Sequence, residues 1–395
     1  MSLPSSPYRL PRVVRSLGWV ALFTDVATEM AYPLLPGLLK SLGGGAQALG
    51  LMEGIAESTS AIVKWLSGRS SDSRPRKPFV LVGYALATVA RPLLAIASSP
   101  WHVIAIRTTD RLGKGLRTAP RDALLSHAVP PERRGHAFGF HNMMDNLGAA
   151  VGPLLATALL RGFGWSLRTV LALTIVPGTV AVITIVRGVE EVGPLETAKR
   201  NAGSTDEANR PLPGRLRAYL ALVALFTLGA SADSFLLLRL SDLGLALGWL
   251  PVAWVSLNAA KALVNIPGGK LSDRLGRKTT QVAGWGLYAL VYTLFPFAHS
   301  VSTTWCLFAI YGAYYGLTEG GEKALVTDLV PPAARGRAFG ALHAITGLAV
   351  LPANAVFGAL YARHLALAFW LGAGFAGAAA LGLIGLRMEP LTDDG

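Results

Sequence analysis

Long apolar runs recur along the whole length of this chain. They lie at residues 17–39, 79–96, 167–186, 218–238, 281–297 and 365–386. Each is close to the roughly 20 residues that an α-helix needs to cross a hydrocarbon core about 30 Å thick. Only 15% of the residues are charged, whereas soluble domains carry about 25%. The pattern therefore predicts an all-α, multi-pass protein of the inner or plasma membrane, surrounded by the lipid bilayer.

Charge and cysteine content exclude several other classes of protein. The net charge of +13 is explained by the Lys and Arg that cytoplasmic loops of membrane proteins collect, so no nucleic-acid partner is expected. A single cysteine, Cys306, rules out an internal disulfide and a multi-cysteine metal site. The first apolar run contains Asp25 and Glu29 and is too long for a secretory signal, which makes it the first span. No cofactor or resident metal is predicted.

Two pairs of segments resemble each other after a shift of 201 residues. SAIVKWLSGRSSDSRPRKP begins at Ser60, and KALVNIPGGKLSDRLGRKT begins at Lys261. The same shift relates VPPERRGHAFG, from Val129, to VPPAARGRAFG, from Val330. Matches spread this widely predict that the chain consists of two homologous halves.

The repeat also predicts where the spans lie. Hydropathy alone would reject residues 101–127 because they carry many charges, but the equivalent residues 302–328 are far more apolar. If one segment is a span, the other should be one too, and counting both keeps the Lys- and Arg-rich loops on one side of the membrane. The sequence therefore predicts twelve transmembrane helices in two six-helix halves, with both termini in the cytoplasm. The halves and the cytoplasmic linker between them are residues 1–187, 218–395 and 188–217.

These features resemble the major facilitator superfamily of secondary transporters, whose fold has twelve helices in two halves. That family's loop between the second and third helices reads roughly G-x-x-x-D-R-x-G-R-K, and the second half of this chain matches it fully. The first half departs from the motif at Ser73, where Arg is expected, and at Pro75, where Gly is expected. The resemblance implies a cytoplasmic gate at Gly68, Asp72, Arg76, Gly269, Asp273, Arg274 and Arg277.

Two further motifs carry the resemblance. Gly148-x-x-x-Gly152-Pro153 is similar to the fifth-helix motif of the family's proton-coupled antiporters, and Arg107 matches the Arg of its fourth-helix motif. The resemblance implies exchange of a solute for protons. The fifth-helix residues equally have a purely structural use, since glycine permits close helix approach and proline allows a bend.

Charged residues of the fourth predicted span recur at helical spacing. Intervals of 3, 4, 3 and 4 residues place them on one stripe of the helix. An ionised side chain at mid-bilayer costs roughly 2.5–3.5 kcal/mol, so the stripe should face a wet, anion-attracting cavity. The alternative is an internally paired network. The stripe consists of Arg107, Asp110, Lys114, Arg117 and Arg121, with Arg111 and Asp122 to its side.

The predicted substrate cavity takes residues from both halves. The first half supplies charged groups, whereas equivalent positions of the second half carry mostly neutral and aromatic groups. Tyrosines at such positions are equally consistent with ordinary helix packing. The candidates are Arg107, Asp110, Arg111, Lys114, Arg117, Asn258, Lys261, Tyr311, Tyr315 and Glu319.

Carboxyl groups within the predicted spans are candidates for carrying the coupling proton. Burial favours the neutral form of a carboxyl group and a nearby cation favours the charged form, so substrate binding can switch between them. The candidates are Asp25, Glu29, Glu57 and Asp145. The alternative for each is a permanent salt bridge between helices. His141 and Asp145 could also ligate a metal, although two residues are too few for a convincing site.

These observations predict a monomeric secondary transporter that works by alternating access. An enzyme is not predicted, because no nucleophile–base pair stands out. The predicted activity is proton-coupled export of a small anionic or zwitterionic organic solute. Three alternatives stay open: proton-coupled uptake of an organic anion, efflux of a metal ion or metal chelate, and a non-transporting membrane sensor.

Overall fold

The computed structural model describes residues 10–71, 74–130, 133–191, 212–331 and 334–386. Its α-helices in chain order are α1 (Arg12–Ala31), α2 (Leu35–Ser41), α3 (Ala46–Ser71), α4 (Arg76–Ala90), α5 (Pro100–His127), α6 (Arg134–Thr157), α7 (Leu167–Leu173), α8 (Ile175–Gly188), α9 (Gly214–Gly229), α10 (Ser234–Asp242), α11 (Leu250–Leu275), α12 (Arg277–Leu294), α13 (Val301–Asp328), α14 (Arg335–Arg363) and α15 (Leu365–Gly385). Asp72 of the predicted gate and most of the predicted linker lie outside the described residues.

These helices form the twelve predicted spans. α1 and α2 make the first span, α7 and α8 the sixth, and α9 and α10 the seventh, while each other helix is a span by itself. Seven stretches in the described part of the chain are long and apolar enough to cross a membrane. They are Arg76–Ile96, Arg134–Gly162, Leu167–Gly188, Gly214–Asp242, Leu247–Asn265, Arg335–Arg363 and Leu365–Gly385. The predicted all-α fold is confirmed.

The charged segment that hydropathy rejects is one continuous helix, α5. It begins where Ser99 accepts a hydrogen bond from the backbone N–H of His102, at 3.4 Å. Its counterpart α13 begins in the same way, with Ser300 accepting from the N–H of Thr303 at 3.2 Å. The internal repeat therefore extends to the capping residues, and both helices have 28 residues.

Two glycines of α6 let this helix lie directly on α1. A methyl group added at Gly148 would lie 2.5 Å from the carbonyl oxygen of Leu22, and one added at Gly152 would lie 2.7 Å from that of Val26. Real side chains do not make contacts this short. The glycines therefore permit close helix approach, as in other membrane helices.

Replacing Gly152 with Ala is expected to destabilise the protein by about 1–3 kcal/mol, because the added methyl group must push α6 away from α1. The thermal unfolding temperature in detergent micelles measures this effect. Gly139→Ala on the same helix is the matched control, since nothing lies within 4 Å of the added methyl group. Alanine favours a helix over glycine by about 1 kcal/mol, so the control should be at least as stable as wild type. Equal stability of the two variants would contradict the close contact.

The two ends of the helix bundle differ in charge. One end, the basic end, carries exposed cations that include Arg12, Arg69, Arg134, Arg274 and Arg335. The positive-inside rule predicts that this end faces the cytoplasm. The other end is named the opposite end below.

The two halves meet tightly at the opposite end. Lys40 Nζ lies 2.8 Å from Asp242 Oδ1, and α2 packs on α10. An added methyl group at Gly54 would lie 3.0 Å from the Cα of Leu351, which shows that α3 lies directly on α14. This contact between the halves, formed by α2, the first part of α3, α10 and the middle of α14, is named the seal.

Exposed polar side chains mark a cavity that opens toward the basic end. They lie well inside the helices of both halves, where an outward-facing side chain would meet lipid. A charged group exposed to lipid costs several kcal/mol, so these side chains line water instead. The protein is therefore closed at the opposite end and open at the basic end. The exposed polar residues include Lys114, Asn142, Asn265, Glu319 and Lys323.

Candidate functional site

Two acidic residues of α3 face two arginines of α5. Arg111 Nε lies 2.9 Å from Glu57 Oε1, and Arg107 Nη2 lies 3.9 Å from Glu53 Oε2. The prediction that Arg111 lies to the side of the charged stripe is wrong, because a residue four positions after Arg107 projects from the same helix face. The Glu57 side chain is 39% exposed, so this salt bridge lies in the wall of the cavity.

Lys114 projects from α5 into the open cavity. Its side chain is exposed and makes no salt bridge with any carboxylate of the described residues. It is still close enough to Glu57 and Asp25 to interact with them electrostatically. Lys114 is therefore a cation available to a ligand, beside carboxyl groups of α1 and α3.

Asp25 of α1 faces Asp145 of α6. Their carboxyl groups lie within hydrogen-bonding reach of each other. The close contact at Gly148 explains this, since a methyl group added there would lie 2.9 Å from Asp25 Cβ. Two carboxyl groups in contact can share one proton through a hydrogen bond. The glycine motif thus builds an acidic pair in the cavity wall.

His141 is buried one turn before Asp145. Its Nε2 has no hydrogen-bond partner among the described residues. In the same part of the chain, no group of three or more His, Cys, Asp or Glu side chains is placed to hold a metal ion. No observation here favours the metal alternative.

Asp110 and Arg117 turn away from the cavity. Arg91 Nε lies 2.8 Å from Asp110 Oδ1, and both side chains are only 4% exposed. The guanidinium carbon of Arg117 lies 4.3 Å from the centroid of the Tyr84 ring, and Arg117 donates to the carbonyl oxygen of Gly83. The prediction that these two residues line the cavity is therefore wrong in this conformation, because both contact the third span.

In the second half, Asp233 is the centre of a polar cluster. Tyr311 and Tyr315 donate hydrogen bonds to its Oδ1 at 2.8 and 2.9 Å, and Lys261 Nζ lies 3.1 Å from its Oδ2. The Lys261 amine also lies 3.6 Å from the centroid of the Tyr315 ring. Both tyrosines thus hold a carboxylate rather than only packing. Asn258 lies one turn before Lys261 on α11, half-buried.

The seventh span is broken just before Asp233. α9 ends at Gly229 and α10 begins at Ser234. The N–H of Ser231 donates to the Tyr288 hydroxyl at 3.2 Å, and the N–H of Ala232 donates to Asn354 Oδ1 at 2.8 Å. Side chains of other spans thus satisfy backbone groups that a helix would otherwise pair, which a break at membrane depth requires.

Glu29 lies in the contact between the halves. Trp254 Nε1 of α11 donates a hydrogen bond to Glu29 Oε2, and the Trp254 ring lies 4.9 Å from the Tyr32 ring, centroid to centroid. This proton-coupling candidate is therefore held across the two halves, whereas Asp25 and Glu57 border the cavity. Trp254 has no distinguishing signal in the sequence.

The comparisons with known proteins agree with this architecture. A family model of the Major Facilitator Superfamily matches residues 17–260 and 239–394. The chain belongs to the Major Facilitator Superfamily. An uncharacterized MFS-type transporter of Methanocaldococcus jannaschii is 32% identical over 359 residues, which cover 89% of each chain. The protein is thus a multi-pass membrane transporter.

Another relative and a solved structure show the range of this similarity. A probable 4-methylmuconolactone transporter of Cupriavidus pinatubonensis is 25% identical over 392 residues, covering 95% of this chain and 89% of the relative. The crystal structure of a D-xylose–proton symporter has a TM-score of 0.75 at 16% identity, covering 96% of this chain and 97% of the other. This second similarity shows the fold alone.

The superfamily loop motif makes equivalent contacts in both halves. Arg76 Nη1 lies 3.1 Å from His127 Nδ1 at the end of α5, and Arg277 donates to the carbonyl oxygen of Ala324 in α13 at 3.0 Å. Arg277 also pairs with Asp328. Each arginine thus ties two helices of its own half together. Gly68 packs near Ala119 of α5, while Gly269, Asp273 and Arg274 are exposed at the basic end.

The departure of the first half from the loop motif has a conformational reason. Gly276 has a φ of +89°, a value that favours glycine. Its repeat equivalent Pro75 has a φ of −54°, within the range that the proline ring imposes. The two loops therefore have different backbone paths, although Arg76 and Arg277 make similar contacts.

Proposed function

We propose that this transporter exports a small organic zwitterion in exchange for protons, by alternating access. The observation that carries the proposal is the position of Lys114 beside the acidic pair of Asp25 and Asp145 in the open cavity. A carboxylate of the solute would bind Lys114, and its ammonium group would bind the acidic pair. A cationic and an acidic subsite side by side match the two charges of a zwitterion.

Exchange follows from competition at the acidic pair. A proton and an ammonium group cannot both occupy the space between Asp25 and Asp145, so binding of one displaces the other. The solute would enter from the basic end, which we place in the cytoplasm, and a proton would take its place at the other side of the membrane. The fifth-helix motif supports this direction, because Gly148 positions the acidic pair.

A second candidate is co-transport of a simple organic anion with a proton. Protonation of Asp25 removes one of the negative charges beside Lys114, which favours binding of an anion to Lys114. Proton and anion would then bind together instead of competing. The probable 4-methylmuconolactone transporter, whose alignment covers most of this chain, is named for a small organic solute. That name is consistent with both candidates.

Purified protein in liposomes that contain a pH-sensitive dye distinguishes these candidates. When a solute gradient drives solute into the lumen, exchange moves protons out and should make the lumen alkaline. Co-transport moves protons in and should make it acidic. Asp25→Asn is expected to abolish this proton movement. Asp122→Asn is the matched control, because Asp122 pairs with Arg121 away from the acidic pair, and it should behave as wild type.

The panel for this experiment consists of amino acids and simple mono- and dicarboxylates, each tested with gradients in both directions. Lumen acidification by carboxylates alone would favour co-transport over our proposal. Absence of proton movement with every solute, in both directions, would refute proton coupling altogether.

A further inference from the structure

Glu53 is a buried carboxyl group that the proposed exchange site does not use. Its side chain is 2% exposed and lies in the part of α3 that forms the seal. Among the described residues, its Oε1 has no hydrogen-bond partner, and neither do Arg107 Nε and Nη2. At 3.9 Å, the contact between Arg107 and Glu53 is longer than a hydrogen bond. The two groups are thus close but are not hydrogen-bonded.

The surroundings of Glu53 come from four elements. Arg107 of α5 also pairs with Asp110, because its Nη1 lies 3.4 Å from Asp110 Oδ2. The guanidinium carbon of Arg107 lies 4.7 Å from the centroid of the Tyr32 ring. The hydroxyl of Ser234 of α10, fully buried in the other half, lies within hydrogen-bonding reach of the Glu53 carboxyl group. The charged groups that face Glu53 are Arg107 and Arg111 from α5 and Glu57 from its own helix. Tyr32 is close enough to interact electrostatically with both Glu53 and Asp233.

Glu53 and Glu57 differ although they are one helical turn apart. Glu57 lies within hydrogen-bonding distance of Arg111 and borders the water of the cavity. Glu53 lies where the seal excludes water. A charged carboxylate with one oxygen unpartnered is costly in such a place, whereas a neutral carboxylic acid loses much less on burial.

We infer that Glu53 is a proton-binding site of the seal: it takes up a proton from water at the opposite end, and the neutral acid lets the two halves close there. One O–H bond forms on Glu53 and one is broken in a hydronium ion, so closure consumes one proton. When the opposite end opens, water reaches the group, and the charged carboxylate can pair with Arg107. This inference rests on the proposed function, because it gives proton uptake a place outside the acidic pair.

The distance between the two halves at the opposite end tests the inference without any solute. Spin labels on Gln47→Cys and Ala246→Cys, both exposed positions on different halves, report closure in nanodiscs when Cys306 is replaced with Ser. The closed fraction of wild type should rise as the pH falls. Uptake of one proton changes the closing equilibrium by at most about tenfold per pH unit.

Glu53→Gln should remove this pH dependence and leave the seal closed at every pH, because the amide is permanently neutral. Glu57→Gln is the matched control, with the same substitution one turn away, and it should keep the wild-type pH dependence. Asp25→Asn should keep it too. Wild-type pH dependence in Glu53→Gln would overturn the inference.

The outcomes separate this inference from the proposed function. If Glu53→Gln keeps the wild-type pH dependence while Asp25→Asn liposomes lose proton movement, Glu53 is refuted as the proton site of the seal. The proposed exchange site is then retained. If Glu53→Gln loses the pH dependence of closure but wild type moves no protons with any solute, proton-coupled transport is refuted. The proton site of the seal is then retained. The spin-label spectra also show whether each variant is folded.

Discussion

Lys114→Ala is expected to weaken binding of every carboxylate-bearing solute by about tenfold to 150-fold. The reason is that a hydrogen bond to a charged group contributes about 1.5–3 kcal/mol, and Lys114 is an exposed cation of the cavity, beside the acidic pair, without a salt bridge in the described part of the chain. A thermal-shift titration of the purified protein measures the change. Wild type is first screened against amino acids and carboxylates to find the solutes that stabilise it.

Two control variants accompany this titration. Lys114→Arg keeps the positive charge and should retain most of the stabilisation. Lys278→Ala removes a lysine whose amine binds the carbonyl oxygens of Ile384 and Leu386 at the basic end, so its affinity for the solute should equal that of wild type. A solute that stabilises Lys114→Ala as strongly as wild type would refute Lys114 as the carboxylate site.

Asp110→Ala is expected to destabilise the protein by about 3–5 kcal/mol, because it leaves buried Arg91 and Arg107 without their shared carboxylate. The free energy of unfolding in mixed detergent–SDS micelles measures this loss. The double variant Arg91→Met, Asp110→Leu should recover part of it, since it removes the buried charge together with its partner.

The control for Asp110 is a more exposed pair on the same helix. Asp122 lies 2.8 Å from Arg121, and its side chain is 42% exposed, so Asp122→Ala should cost less than about 1 kcal/mol. Equal losses for Asp110→Ala and Asp122→Ala would show that burial does not strengthen the Arg91–Asp110 pair.

The span count was predictable because it depends on patterns that repeat. α5 fails a hydropathy test, yet its apolar counterpart α13 shows that a helix belongs there, and the shared Ser caps agree. A close helix contact of α6 was predictable as well, since Gly148 and Gly152 lie one turn apart on the same helix face, but its partner α1 was not.

The partners of the charged residues could not be predicted in the same way. Helical spacing shows that side chains share a face, but it does not show which neighbouring helix that face contacts. Arg91 lies within the apolar run 79–96, and only the packing of the third span on α5 reveals that it binds Asp110 rather than reaching the membrane surface. Asp110 and Arg117 were assigned to the cavity for this reason.

The break in the seventh span also lacks a local signal. Residues 230–233 read Ala-Ser-Ala-Asp, a composition that a helix tolerates. The break is stabilised by Tyr288 and Asn354, which come from distant parts of the sequence. Such tertiary hydrogen bonds outweigh helix propensity, and they cannot be predicted from a short stretch of sequence.

The short helices α2 and α10 have a consequence for how the protein could be inhibited. They are only 7 and 9 residues long, and they meet each other through Lys40 and Asp242. These two segments are part of the seal that closes the opposite end. A molecule that bridges them from outside would arrest the transport cycle without entering the cavity or competing with the solute.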